Sequence, residues 1–294
     1  MSCRENGLYF PANIKVVTLQ AIIMVLNIVI SLFGIVANGL IIAAYLRDPP
    51  LRRIQNTIFL FLAITDISAT AFAQPVFVVA ILRKLLGDED CLLWSLSSNL
   101  MMLFVFQSLV TIVILSLQTF VSLAYPYQYL QIITKRRLKM AVAFSWGLVI
   151  TATIALEIHP HIKVNLYFTV CIVTLTIITV VFTWIWTYRL VARHRKAIKT
   201  TKTASTHEVV SKTKLLRSTI TALAVVSSLL GCYFFGVCFI LFGILLKTLG
   251  ITRDTHLILS NATITLMYLN SFLNPCLVFW RSSDFREAVK NMFN

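Results

Sequence analysis

The chain has 294 residues, 58% of them hydrophobic and 13% charged, with a formal net charge of +15 at pH 7. Its mean hydropathy of +0.85 excludes an ordinary soluble domain. The basic excess does not indicate nucleic-acid binding, because it lies between apolar segments and mostly on alternate connections, as a membrane protein requires.

Seven apolar spans follow one another, at about 16–46, 54–82, 91–125, 140–157, 164–195, 212–246 and 256–281. Runs of about 20 apolar residues are membrane helices; barrel strands would need only about 9–11 residues in alternation. The predicted fold is an all-α membrane protein, a seven-transmembrane helix bundle forming a single domain over residues 1–294. A short amphipathic eighth helix at 283–293 follows, with Phe285, Val289, Met292 and Phe293 on one face and Ser283 or Asp284 as cap. An odd number of spans puts the termini on opposite sides. One side carries Arg4, Lys15, Arg83, Lys84, Lys163, Lys247 and Arg253, and the other carries the remaining 19 of 26 basic residues. The positive-inside rule places the N-terminus outside and the C-terminus in the cytoplasm. The first apolar run is too long for a cleavable signal and is expected to act as a signal-anchor.

Along the chain, polar residues inside the spans are few. The first span has Asn38 four residues after Gly34. The second has Asp66, the one ionisable group well inside an apolar segment. A carboxylate there costs about 2.5–3.5 kcal/mol on insertion scales and marks a functional site. The third span carries Ser108, Thr111 and Thr119 on one helical face. The fourth carries Trp146. The connection at about 189–217 is the longest polar stretch, and the fifth and sixth helices are expected to extend into it. The seventh span has Asn270, Ser271 and Asn274 ahead of Pro275, which frees a backbone carbonyl that a polar neighbour or water must satisfy. Each Ser, Thr or Asn alone is explained as glue between helices. As a set they make a hydrated pocket around Asp66.

Cys171, Cys232, Cys238 and Cys276 fall within spans as small apolar filler, whereas Cys3 and Cys91 lie outside, where a disulfide is chemically permitted. A Cys3–Cys91 bridge and a lone surface cysteine are both open. The histidines stand at loops or span ends without metal-ligand spacing, and no GxSxG elbow is present, so the chain does not read as an enzyme. No internal repeat supports a transporter.

Several motifs in order give a family likeness: Gly34-Ile35-Val36-Ala37-Asn38, Leu62-Ala63-Ile64-Thr65-Asp66, Trp146, Pro126 and Tyr129, then Asn270 to Pro275 followed by Phe279-Trp280-Arg281-Ser282-Ser283-Asp284-Phe285-Arg286. In this order and spacing the chain resembles the rhodopsin-like (class A) G-protein-coupled receptors, as a divergent member of unassigned subfamily. The resemblance implies a sodium pocket of Asp66, Ser108, Asn270 and Asn274, with Asp66 holding the metal and no cofactor beyond that structural sodium ion. It implies a ligand pocket walled by Met101, Met102, Phe104, Val105, Phe235, Phe239 and Tyr268. It also implies a G-protein coupling face including Thr119, Pro126, Arg136, Arg137, Arg193, Lys196, Lys214 and Arg281, with Asn38, Trp146 and Pro275 as structural positions. Met101 stands where aminergic receptors place an aspartate, and Tyr268 where opsins place the retinal lysine. The implied partners are an extracellular ligand, a heterotrimeric G protein or arrestin, the lipid bilayer and, as an alternative, a second receptor in a dimer; no nucleic acid is implied. The implied location is the plasma membrane.

The departures concern the activation relay. The family's Asp-Arg-Tyr is Gln118-Thr119-Phe120, its Cys-Trp-x-Pro is Cys232-Tyr233-Phe234-Phe235, and the tyrosine of its NPxxY is Val278. The usual cysteine at the top of the third helix is Trp94, and the connection at about 157–165 has no cysteine. The alternative reading is therefore a receptor-like protein with impaired coupling that modulates a partner; an ion or solute transporter stands third.

Overall fold

The computed structural model describes residues 14–88, 90–158, 162–200 and 253–293, with 219–220, 222–228, 231–232, 234, 238 and 242 of the sixth span; at 158, 162–170 and 194–200 it describes backbone only. Among the described residues, six helices are long and apolar enough to cross a membrane. They are the first helix Ile14–Arg47, the second Ile54–Leu85, the third Cys91–Ala124, the fourth Lys135–Ile158, the fifth Ile162–Thr200 and the seventh Arg253–Arg281. The scattered described residues of the predicted sixth span 212–246 are helical.

The first helix shows why this is a membrane fold. Its exposed side carries Ile22, Val25, Leu26, Val29, Leu32, Phe33 and Val36, while Gln20, Asn27, Ser31 and Asn38 are buried. A soluble helix has the opposite arrangement. In lipid the apolar side costs nothing, and the polar groups must turn inward to find partners. With 34 residues at about 1.5 Å each, it outreaches a hydrocarbon core of about 30 Å.

Several helix ends lie beyond the predicted limits. The second helix continues through Arg83 and Lys84 to Leu85, and the fourth begins at Lys135 rather than 140. The sequence limits fall at charges, but a helix carries long basic side chains into the headgroup region without ending. Asp90 caps the third helix by accepting from the Leu92 and Leu93 N–H groups at 3.0 and 3.2 Å.

The first helix packs on the second and then the seventh, and the third on the second and then the fifth. The second helix is interrupted by a π turn, Ala69–Ala73, just before Pro75. Such a turn re-aims the residues that follow it. Here Ser31 Oγ donates to Thr70 O at 2.7 Å, and Gln74 reaches Asn27. Gly34 is the close-approach point, because a Cβ there would lie 2.7 Å from Thr70 Cγ2. Thr70 cannot swing aside freely, since its hydroxyl donates to Asp66 O at 2.9 Å. Gly34→Ala is therefore expected to destabilise the bundle by about 1–3 kcal/mol through overpacking, despite the better helix propensity of alanine. A lower thermal midpoint of the purified variant is the expected result; an unchanged or higher one contradicts this close packing.

Past the seventh helix, Ser282 breaks the run and a helix Ser283–Phe293 follows. The hydroxyl that accepts from the Phe285 N–H, at 3.5 Å, belongs to Ser282 rather than to the predicted Ser283 or Asp284. Phe285 is buried edge-on against Phe59, with ring centres 6.4 Å apart. Arg286 donates to Phe279 O and Trp280 O at 2.7 and 2.6 Å, closing the C-terminal end of the seventh helix with a positive charge.

Candidate functional site

Asp66 is 0% exposed. Asn274 Nδ2 donates to its Oδ2 at 2.8 Å, and the Ser271 hydroxyl also faces the carboxylate. The first helix reaches the same core through Asn38, which donates to Gly34 O and Ser271 O, both at 2.9 Å. Ser271 is four residues before Pro275, so this is the carbonyl that the proline leaves without its helical partner. Asn38 supplies the missing donor. Three helices are thereby tied by two asparagines, one carboxylate and one kink.

The core is not fully paired. Among the described residues, Asp66 Oδ1, Asn38 Oδ1, Asn270 Oδ1 and Asn274 Oδ1 have no hydrogen-bond partner, and all are buried. Buried acceptors without donors are costly, and a carboxylate oxygen most of all. A set made only of oxygen acceptors with one negative charge is the chemistry that a hard monovalent cation or ordered water satisfies. Ser108 is buried on the third helix and Asn270 on the seventh, neither hydrogen-bonded to Asp66. Thr111 donates to Gln107 O at 2.8 Å, within its own helix. Among the described residues no group of three or more His, Cys, Asp and Glu side chains could hold a metal ion.

A second polar cluster lies about one to five turns further along the same three helices. Gln74 Nε2 donates to Asn27 Oδ1 at 2.9 Å, and Asn27 Nδ2 to Thr265 Oγ1 at 2.8 Å. Thr265 donates to Asn261 O, and Asn261 Nδ2 to Gln20 Oε1, both at 2.8 Å. The Asn261-Ala262-Thr263 sequon is thus closed to a glycan, because its asparagine is a buried partner of the first helix. The sequence reading missed this cluster. The available signal was Gln20, Asn27, Ser31 and Asn38 recurring on one face of the first helix.

Of the expected ligand-pocket residues, Met101, Phe104 and Tyr268 come together in one buried cluster with Ile23 and Phe77, and Met102 and Val105 pack against it. Phe104 stands edge-on to Trp146 at 6.1 Å and Tyr268 lies tilted against Phe77 at 5.9 Å. Phe235 and Phe239 lie outside the described residues. At that end of the bundle Arg83 pairs with Asp88 and Asp90 at 3.4 and 3.1 Å, and Glu157 accepts from Ser95 at 3.0 Å. Those acids are already engaged by the chain itself.

Cys91 is disulfide-bonded, while Cys171, Cys232, Cys238 and Cys276 are free thiols. Cys3 lies outside the described residues. Peptide mapping without reductant is expected to yield a fragment that links Cys3 to Cys91 and is released by reduction. Recovery of both cysteines as alkylated monomers contradicts that bridge.

The seven-transmembrane receptor profile of the rhodopsin family matches residues 37–277, a stretch that includes Asn38, Asp66, Thr119, Trp146 and Asn274. The chain belongs to the rhodopsin family of seven-transmembrane receptors. Among curated proteins it is 27% identical to melanopsin-B of Xenopus laevis over 40% of this chain and 22% of that protein. It is 27% identical to adenosine receptor A3 of Bos taurus over 46% of this chain and 42% of that protein. The match to the allatostatin-A receptor of Bombyx mori is 21% identical but covers 90% of this chain and 77% of the relative. The chain therefore spans well under two thirds of the first two relatives. The family and these relatives are receptors, not enzymes.

The receptor's loop end, between the third and fourth helices, is built around Gln118. Its Nε2 donates to Ile54 O at 3.1 Å and to Tyr129 Oη at 3.2 Å. The third helix is thus fastened to the start of the second helix and to the helical turn Tyr129–Ile132 without any charge. Burial pushes the Tyr129 phenol up to about 12, against the opposing pull of the Gln118 bond. Thr119 is buried and donates to Leu115 O at 2.7 Å. Pro126, Arg136, Arg137, Arg193 and Arg281 are exposed. The Lys196 side chain and all of Lys214 lie outside the described residues.

Proposed function

We propose that this receptor lies in the plasma membrane with its N-terminus outside, binds an extracellular ligand, and passes the signal to a heterotrimeric G protein or arrestin. The observation that carries the reading is the core joining Asp66, Asn274, Ser271 and Asn38 across the first, second and seventh helices. Asp66, Asn270, Asn274 and Ser108 would hold a sodium ion, which would offset the buried charge of Asp66 and favour the resting arrangement. Without that ion the carboxylate would be uncompensated, which would bias a two-state bundle towards rearrangement. Arg136, Arg137, Arg193, Lys196, Lys214 and Arg281 form the basic face offered to the transducer. Met101 gives no counter-ion for an amine, and Tyr268 no lysine for a Schiff base. The relatives carry different ligand names, so none transfers to this chain.

A second reading, a modulatory partner in a receptor dimer, is favoured by one observation. Thr119 commits its hydroxyl to its own helix and carries no charge towards a transducer. Guanine-nucleotide exchange by the reconstituted natural chain and by Thr119→Arg separates the two. Exchange by the natural chain above the empty-membrane background supports signalling; exchange only in the variant supports modulation.

A further inference from the structure

The loop end of the bundle holds a crevice lined by Gln118, Thr119, Ser122 and Tyr129, with Gln55 and Thr219 on its other walls. No lining residue is charged. The polar atoms are not evenly matched. Thr119 gives its proton to Leu115 O at 2.7 Å, and Ser122 gives its proton to Thr119 O at 2.8 Å. Each hydroxyl therefore keeps only lone pairs to offer. The Gln118 amide must direct its NH2 at Ile54 O, which can only accept, so its oxygen is the free end. Among the described residues, that Gln118 Oε1 is buried and without a partner. The wall thus presents acceptors from three residues of one helical face.

Two further features set the sign of the occupant. The crevice lies at the C-terminal end of the third helix, where the aligned peptide dipoles leave partial negative charge. The last turn, Val121-Ser122-Leu123-Ala124, has no basic residue to compensate it. Of the basic groups at this end of the bundle, Arg137 donates to Gln131 O and Ile132 O, both at 2.9 Å, and Arg52 to Leu46 O, while Arg53 beside Gln55 is exposed. The accessible interior is about 10 Å³, room for one water-sized group. An ammonium is a compact charge with three donors, whereas a guanidinium is a broad planar fork.

We propose that this crevice binds a primary ammonium group, the tip of a lysine side chain from a cytoplasmic partner protein. Only the cytoplasmic location rests on the orientation proposed above; the ammonium site itself does not. The test uses the full chain in nanodiscs of uncharged lipid, with thermal unfolding followed in equal concentrations of methylammonium, tetramethylammonium or sodium chloride. Methylammonium, which alone of the three carries N–H donors, is expected to raise the midpoint by about 2–4 °C over the other two. Thr119→Val removes one acceptor while keeping the shape, and Ser122→Ala removes another; each is expected to lose at least half of that rise. Equal midpoints in the three salts overturn the site, as does a methylammonium rise that survives both substitutions. If Thr119→Val does not fold, Ser122→Ala decides alone. The peptide acetyl-Gly-Lys-Gly-amide is expected to act at lower concentration than methylammonium. Equal potency overturns the assignment to a protein lysine and leaves a site for free amines.

Discussion

Asp66→Asn is expected to remove a sodium dependence of this receptor's stability. In the natural chain, sodium replacing a large organic cation is expected to raise the thermal midpoint, because a ligand that binds only the folded state stabilises it in proportion to its occupancy. At about one hundred times its dissociation constant such a ligand contributes about 2.7 kcal/mol, and each kcal/mol moves the midpoint of a chain of this size by roughly 2–4 °C. In the variant the salts become equivalent. The sign in sodium-free buffer follows from the same geometry. Asp66 Oδ1 is buried without a partner among the described residues, and an amide in its place leaves no charge to compensate. The variant is therefore more stable than the natural chain without sodium, and the gap closes as sodium is added. A sodium shift of equal size in both chains contradicts the ion site at Asp66.

Thr119→Arg raises agonist-independent nucleotide exchange by about five-fold or more, the lower range of a typical coupling free energy. The third helix is otherwise built to hold its inner end in place, through Gln118 on Ile54 O and Tyr129 Oη. What the natural residue lacks is reach and charge, since Thr119 is buried and bonded to its own helix. An arginine at that position removes the threonine hydroxyl from the crevice lined by Gln118, Ser122 and Tyr129. It also places a permanent positive charge at the transducer face. The same variant should no longer respond to methylammonium, because it lacks the Thr119 acceptor. A folded variant with exchange no higher than the natural chain contradicts this account of the third helix.

The helices were legible because the membrane imposes one rule on every span: apolar outside and about 20 residues or more across. Asp66, Asn274, Asn38 and Pro275 were legible for the related reason that polar groups in hydrocarbon need a purpose. Pairing was less legible. That Asn38 donates to the carbonyl freed by Pro275 depends on how the first helix crosses the seventh, which no local pattern contains. The π turn at Ala69–Ala73 is written in alanines with Thr70 and Phe72, without a breaker of its own. Pro75, just beyond it, hints at an irregularity but not at its kind. The amides of Gln20, Asn27, Gln74 and Asn261 were visible as residues yet went unread as a cluster, because Gln74 meets the first helix beyond that turn. Gln118 stood out in the sequence only as a departure from the family motif. The structure gives it a fastening role that a neutral side chain performs without the usual carboxylate.

The most direct test of the receptor as a signalling protein is nucleotide exchange on purified heterotrimeric G proteins by the natural chain in nanodiscs, measured with and without sodium beside Thr119→Arg. The account predicts exchange above the empty-disc background in sodium-free buffer, a lower rate in sodium, and a higher rate in the variant. Background exchange by both chains, from preparations that still unfold cooperatively, contradicts it.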